Sequence, residues 1–387
     1  MKKVFLTFFP FGENEHLAKD IGVIPNIMAK NFGYESYLAV YDREQKFDYL
    51  NSVVKDLKIW KIKSPLKPKF GKLSLQSILF FVKNARKIDV VNFYHLTKET
   101  KILAIIYKLF NRKGFVYIKA DTDIYQKFER HKITGIRSCI NSLYEYYFRK
   151  ITNLISTEQE QSICILKTHF TELKDKIIRI PNGIDFELLK NLGFEHLQKS
   201  DKEKLIITVG RIGLTPKNNQ MMLEALNGLD LKDWKFALIG PIYDETNIKF
   251  DIEQFYLNNP DLRDKVIFTE GIYDKKELYS WYKKASVFCL TSECESWCLA
   301  MSDAIYFGCE IVSTNVGCLE DITSNGNFGY KIEKANDLRI LLEKIVNGQI
   351  NVLQNFEKII ERSKEFNWNE ICEKLYLEIS KISPSSI

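Results

Sequence analysis

The stretch LTSECESWCLAMSDAIYFGCEIVSTNVGCLED, Leu290 to Asp321, reads as strand, loop, helix, strand, loop. SVFCLT at 286–291 and EIVST at 310–314 are short apolar runs without strict alternation, the pattern of strands buried on both faces. Between them a helix is expected over 299–307, entered through a loop that carries Glu295. The backbone amides of Cys298, Leu299, Ala300 and Met301 fall at that entrance. They are expected to be unpaired donors able to receive an anion. Asp303 lies eight positions beyond Glu295, which sets two carboxylates near one helix start.

The same alternation extends in both directions. Upstream lie strand-like runs at 204–210, 234–240 and 265–270, with helices near 218–228, 275–285 and 335–347. The first half shows runs at 3–9, 36–42, 58–63, 90–95, 115–120 and 153–157. A helix is expected from near Pro25, a residue favoured in a first helical turn, to Gly33, suited to a left-handed cap. Two such sets predict an α/β protein of two doubly wound, parallel-sheet, Rossmann-like domains. The polar segment 186–203 is the expected linker. The domains are placed at 1–190 and 191–365, with a C-terminal helix over 366–387 packing back on the first. Beyond 350 the chain reads as helical, interrupted at Trp368 and Asn369.

Composition narrows the class. The chain has 387 residues, 45% hydrophobic and 27% charged, which excludes a disordered chain and exceeds what one core usually supports. Net charge is +6, but residues 1–190 hold 33 Lys+Arg against 20 Asp+Glu, and 51–150 hold 22 against 7. That excess fits an anionic membrane face or polyanionic partner, or simply a solvated basic surface. No nucleic-acid-binding module is recognisable. The eight cysteines form no CxxC pair, so neither a zinc site nor a disulfide framework is expected. MKKVFLTFFPFGENEH reads as a first strand rather than a signal peptide, and the longest apolar runs are too short to span a bilayer. The expected location is cytoplasmic, with at most peripheral contact on the inner face of the membrane.

In doubly wound sheets, ligands sit at the carboxyl ends of strands. Arg211 directly follows the run 204–210 and Lys217 precedes the next helix, so both should emerge beside Glu295. Arg can hold phosphate oxygens in a bidentate fork, and Lys supplies a point charge. Together with a helix entrance they could stabilise a departing diphosphate without a divalent ion.

PNGID (181–185), VGR…TPKNN (209–219), SECESWCLAMSDA (292–304) and GCEIVSTNVGCLED (308–321) occur in the order and spacing of the retaining GT-B glycosyltransferases of family 4. The chain resembles that family over about 140 residues of 180–321. The segment KDIGVIPNIMAKNFGYES is similar to N-terminal helices of capsule and exopolysaccharide transferases. The resemblance implies two domains facing across a cleft and a nucleotide-diphosphate sugar as donor, UDP-linked by family frequency. It implies transfer of a hexosyl or N-acetylhexosaminyl unit with retention, to a glycan or polyprenyl-diphosphate-linked acceptor, with no metal or other cofactor. It also implies residue roles. Glu295 contacts the donor sugar, Asp303 the ribose hydroxyls, Arg211 and Lys217 the diphosphate. Asn315, Val316, Gly317 and Glu320 complete the donor pocket.

Several positions depart from the family pattern. Asp303 stands for Glu, which shortens the side chain by about 1.5 Å. Ser296, Trp297 and Cys298 replace Gly-Phe-Gly, and Cys318 replaces a second Gly. In the first half, Asp121 and Asp123 follow the run 115–120, where the family often places a His or Asp near the sugar. A helix cap by either, or an Asp-x-Asp metal motif, are the competing readings, the latter disfavoured by the fold signals. Gly12 and Asn14 follow the first strand, where an acceptor-side loop is expected; no GxGxxG is present. The aromatics Trp297, Tyr273, Tyr279, Trp281 and Tyr282 are expected to pack rather than stack on a ligand, and His95 is not expected to be catalytic. Two other functions stay open: a GT-B epimerase or hydrolase acting on the nucleotide sugar, and a degenerate, non-catalytic binding protein.

Overall fold

The computed structural model describes residues 2–64, 69, 72–121 and 136–382, with the side chains of 136–141 outside the description. The chain divides into two compact units, Met1–Asn182 with Trp368–Ile387, and Gly183–Asn367. The first crossing falls a few residues before the expected linker, between Asn182 and Gly183 within PNGID. The second lies at Asn367, where the last helix leaves the second unit for the first.

The first unit holds a seven-stranded sheet of β1 (Val4–Phe8), β2 (Glu35–Tyr41), β3 (Leu57–Ile62), β4 (Val90–Tyr94), β5 (Phe115–Lys119), β6 (Leu154–Thr157) and β7 (Ile177–Arg179). Their order is β3-β2-β1-β4-β5-β6-β7, and every pairing is parallel. The second unit holds β8 (Glu203–Val209), β9 (Lys235–Ile239), β10 (Val266–Thr269), β11 (Ala285–Leu290), β12 (Glu310–Thr314) and β13 (Gly329–Ile332). These run β10-β9-β8-β11-β12-β13, again all parallel. Both orders reverse direction once: between β1 and β4, and between β8 and β11. A ligand crevice opens at the carboxyl ends of strands on either side of such a switch.

The continuous apolar strands are buried for the reason the sequence gives. In the second unit, Ile207, Ala237 and Phe288 face one layer of helices while Ile206, Phe236, Val287 and Val312 face the other, which yields two cores on one sheet. In the first unit, Leu6, Val91 and Val116 face one layer, and Phe5, Val90 and Tyr117 face the other. The C-terminal helix Trp368–Ile382 joins that second layer, with Trp368, Ile371, Cys372, Leu375 and Ile379 buried against Phe5 and Val23.

Two local expectations need correction. The first long helix spans Asp20–Phe32, so Pro25 lies inside it rather than at its start. Apolar burial of Ile21, Val23 and Ile24 before the proline, and of Ile27 and Met28 after it, holds the helix together, outweighing the one backbone bond it removes. Gly33 ends the helix at φ 73°, as expected for a left-handed cap. Trp368 and Asn369 do not interrupt a helix but begin one; the break falls at Asn367. Several elements escaped sequence reading, among them β7, β13 and the helices Leu75–Asn84, Lys98–Phe110, Glu160–His169 and Ile248–Asn258.

Candidate functional site

At the switch point of the second unit, β8 ends at Val209 and the chain turns through Gly210 into Arg211. Gly240, after β9, sits at φ 148°, and a Cβ there would lie 1.9 Å from the Gly210 carbonyl oxygen. Only glycine permits this close approach of the two strand ends. The following loop folds back on itself, with the Asn219 carboxamide oxygen accepting from the Gly213 amide at 2.9 Å.

That loop is tied to the segment after β11. The Thr291 hydroxyl donates to the carbonyl oxygens of Lys217 and Asn218 (3.2 and 2.9 Å), and the Glu293 amide donates to the Pro216 carbonyl (2.9 Å). These bonds bring Lys217 against Glu295. The ammonium and carboxylate form a half-buried, hydrogen-bonded ion pair, with side-chain exposures of 22% and 17%. The Ser292 hydroxyl adds a 2.9 Å bond to the same carboxylate oxygen. Arg211, just beyond the end of β8, is exposed and makes no ion pair among the described residues. It is available to an anion from solvent.

The helix Leu299–Tyr306 starts beside this pair, but its entrance is less open than expected. The Cys298 amide donates to the Cys318 sulfur at 3.2 Å, and the Met301 amide to the Cys298 carbonyl at 3.1 Å. The correction is that Cys298 offers no free amide; Leu299 and Ala300 lead the helix. The cysteines that replace glycines carry no backbone strain, since Cys298 and Cys318 both have φ −89°. Burial pushes the Cys298 thiol up to about 12, so it stays a neutral packing group. Trp297 is buried, donates to the Ser302 hydroxyl at 2.9 Å and packs on Phe366. Tyr279 and Tyr282 are likewise buried, whereas Tyr273 is 76% exposed.

Asp303 is one turn further along the helix and has different neighbours. Burial raises its carboxyl pKa to about 6; Lys275 opposes the shift and Asp185 adds to it. Asp185 itself caps the helix Phe186–Asn191 through a 2.9 Å bond from the Leu188 amide. The structure therefore joins Glu295 to Lys217, but sets Asp303 against Lys275 and Asp185. In the loop after β12, Asn315 is exposed while Val316 and Gly317 are buried, and Glu320 is exposed in the short helix Leu319–Thr323 that follows. The Thr314 hydroxyl, which donates to the Ser292 carbonyl at 2.5 Å, ties this loop to the one carrying Glu295.

The first unit has its own polar cluster at the carboxyl edge of its sheet. Asp121 follows β5 and His95 follows β4, with Nδ1 and Oδ2 3.8 Å apart. Both are non-glycine residues at positive φ, 43° and 62°. Such strain concentrates where surrounding structure holds a group in place for use. The His95 amide donates to the Lys119 carbonyl at 2.9 Å. Beneath them Lys119 is fully buried between Glu158, to which it is hydrogen-bonded, and Asp20 at 3.6 Å. Burial works against the Lys119 charge, but the two carboxylates outweigh it and its pKa is raised. Burial also lifts Glu158 to about 7 despite Lys119. Asp20, Lys119 and Glu158 went unnoticed in the sequence because nothing in their spacing links them. His95 was passed over because its strain depends on φ, which residue type does not reveal.

The remaining expectations fare differently. The Gly12 amide closes a turn on the Phe9 carbonyl (2.9 Å), and a Cβ there would come within 2.9 Å of Val40. Asn14 spends its carboxamide oxygen on the Tyr49 amide (2.9 Å), a structural role. Asp123 lies outside the described residues. No group of three or more His, Cys, Asp or Glu among the described residues is placed to hold a metal ion. No described helix is long and apolar enough to cross a membrane.

Two parallel-sheet Rossmann-like domains, the second with cations and a carboxylate at its switch point, define the GT-B architecture. Residues 191–365 match the family model described as Glycosyl transferases group 1. An uncharacterized glycosyltransferase of Methanocaldococcus jannaschii is 26% identical over 62% of this chain, which spans 65% of that relative's length. Among solved structures, a glycosyltransferase from Rickettsia africae superposes with TM-score 0.73 at 16% identity, covering 98% of both chains. Anabaena HepE, solved in complex with UDP and glucose, gives TM-score 0.68 at 13% identity, covering 98% of this chain and 100% of HepE. At these identities the two likenesses bear on the fold.

Proposed function

We propose that this chain is a retaining glycosyltransferase that needs no divalent metal. It moves a hexosyl or N-acetylhexosaminyl unit from a UDP-sugar to a glycan or polyprenyl-diphosphate-linked acceptor at the inner face of a membrane, in cell-surface polysaccharide synthesis. The observation that carries the reading is the Lys217–Glu295 pair at the β8/β11 switch point, with Arg211 exposed just beyond the end of β8. The group 1 family match supports transfer, and the UDP and glucose of the HepE complex support the uridine donor.

In this scheme the bond from the anomeric carbon to the diphosphate oxygen breaks, and a bond to the acceptor oxygen forms on the same face. Arg211, Lys217 and the amides of Leu299 and Ala300 take up the charge developing on the diphosphate. The acceptor proton passes to a departing phosphate oxygen. Glu295 orients the sugar hydroxyls, and Asp303 accepts from the ribose. Incubation with UDP-, GDP- and ADP-sugars in EDTA, with product NMR, tests the reading. Transfer from a UDP-sugar with the anomeric configuration kept supports it; activity that magnesium alone restores overturns the metal-free scheme.

One observation favours a second reading. His95 beside Asp121 is the acid/base pair that a nucleotide-sugar epimerase or hydrolase requires. Incubation with donor alone separates the two, because only that enzyme consumes donor without acceptor.

A further inference from the structure

At the amino ends of the second unit's strands, the edge opposite Arg211 and Glu295, an amine and a thiol are held side by side. Lys202 immediately precedes β8, Ala285 opens β11, and Cys309 immediately precedes β12. β11 pairs with both of the other strands, so these three chain entries are neighbours. The Lys202 amine donates to the carbonyl oxygens of Ala285 (2.6 Å) and Tyr282 (3.1 Å), and its nitrogen lies 3.5 Å from the Cys309 sulfur. The Cys309 sulfur is itself 3.2 Å from the Ala285 carbonyl oxygen and 3.5 Å from that of Tyr282. Amine and thiol therefore share two acceptors and touch each other.

The surroundings give the amine little counter-charge. The carboxylates on either side of it in sequence are engaged elsewhere, Asp201 with Lys283 at 3.4 Å and Glu203 with Lys284 at 3.5 Å. The Lys202 nitrogen instead lies 5.9 Å from the centre of the Phe356 ring. Cys309 is fully buried, and its backbone is fixed by the left-handed turn at Gly308 (φ 73°) and a 3.0 Å bond from its amide to the Ala304 carbonyl. Burial lowers the pKa of Lys202 and raises that of Cys309, which favours a neutral amine beside a neutral thiol. Lys202 also satisfies carbonyls at the end of the helix Lys275–Lys284, an ordinary capping role. Capping accounts for the amine but calls for no thiol at its flank.

We infer that Lys202 and Cys309 form a modification site, at which dioxygen joins them through a nitrogen–oxygen–sulfur bridge. The neutral amine gives up one hydrogen and the thiol its only one. One oxygen atom is inserted between nitrogen and sulfur, and the other leaves as water with both hydrogens. Nitrogen and sulfur each lose two electrons, and dioxygen takes up all four. Dioxygen is small and uncharged, so it reaches a buried thiol that ionic or bulky oxidants do not. One inserted oxygen suits a nitrogen and a sulfur already in contact, whereas a direct bond would draw them closer still. The bridged nitrogen keeps one N–H for the Ala285 carbonyl. Two molecules of a dithiol reductant supply the four electrons that return amine, thiol and water. The bridge staples the entry of β8 to that of β12, which makes the stability of the second unit redox-dependent. It is independent of the transferase reading.

The test is intact-mass and peptide mass spectrometry of the full chain held in air-saturated buffer, against the same protein kept anaerobic with dithiothreitol. The expected product is about 14 Da heavier, one oxygen gained and two hydrogens lost, with Lys202 and Cys309 in one cross-linked peptide pair. Dithiothreitol should remove the added mass, and the bridged protein should melt about 5–10 °C above the reduced one. Cys309→Ser and Lys202→Arg should each abolish the adduct. Melting of their reduced forms shows whether they fold, and the cross-linked peptide of the parent carries the assignment if either does not. The inference is overturned by a chain that stays unmodified in air, or by a gain of about 16 or 32 Da on Cys309 with no link to Lys202. A loss of about 2 Da, marking a direct sulfur–nitrogen bond or a disulfide, also overturns it, as does an adduct that persists in a folded variant.

Discussion

Lys217 and Glu295 are 78 residues apart in sequence, and their side chains meet in a hydrogen-bonded ion pair at the switch point of the second unit. Thr291, Ser292 and Glu293 position it from one side and the Pro216–Asn218 backbone from the other. On the proposed reading, a cation that would meet the diphosphate is kept in place by the carboxylate that would meet the sugar. Donor binding has only to redistribute a charge pair that already exists.

Substitution of either partner should therefore act on both stability and activity. Lys217→Ala is expected to lower kcat/KM for the donor by about 10²–10³. Glu295→Gln should lower it as well, chiefly through kcat. In thermal unfolding, the double variant should lose less than the sum of the single losses, by roughly 0.5–1 kcal/mol. Additive losses would mean that the pair is not coupled in solution.

Arg211 is the test of bidentate phosphate recognition. Arg211→Lys keeps the charge but loses the planar fork. Affinity for UDP is expected to fall by about tenfold, and affinity for uridine to stay unchanged, by calorimetry. An equal loss for both ligands would place Arg211 away from the phosphates.

Asp303 makes a pH-dependent contribution whose sign is fixed by its raised pKa of about 6, against an ordinary 3.8. The folded state holds this proton more tightly than the unfolded chain. Asp303 thus costs no stability below pH 3.8, and the cost grows between pH 3.8 and 6. Asp303→Asn should raise stability above pH 6 by an amount of order 1 kcal/mol and leave it unchanged near pH 4. UDP affinity of the parent should fall as pH drops through 6, and that dependence should vanish in the variant. Denaturant titrations and calorimetry across this range measure both.

Lys119 is buried between two carboxylates, so its removal leaves uncompensated charge. Lys119→Met is expected to destabilise the first unit by about 3–5 kcal/mol at neutral pH. The loss should shrink as pH falls through about 7, where Glu158, lifted by burial and no longer held down by Lys119, takes up a proton. A pH-independent loss would point to packing rather than charge.

The fold was legible wherever burial on both faces writes a continuous apolar run, as in Leu205–Val209 or Ala285–Leu290. It was not legible in β7, which has only three residues, or in β13, where Lys331 is exposed and the apolar run is broken. Ile248–Asn258 buries only Ile248 and Phe255, too little to impose a helical period. Pro25 misled because local propensity was read as a boundary where tertiary packing decides. In the second unit, Arg211, Lys217 and Glu295 could be placed beyond two neighbouring strand ends because they fall in an ordered motif series. Lys119, Glu158 and Asp20 form one cluster only after three separate elements converge. The strained backbone of His95 and Asp121 appears only with the φ angles.

The most direct measurement is UDP binding by isothermal titration calorimetry in EDTA, on the parent and on the Arg211→Ala, Lys217→Ala double variant. The account predicts one site per chain in the parent, indifferent to EDTA, and no detectable binding in the double variant. Binding that appears only when magnesium is added, or that survives loss of both cations, would contradict it.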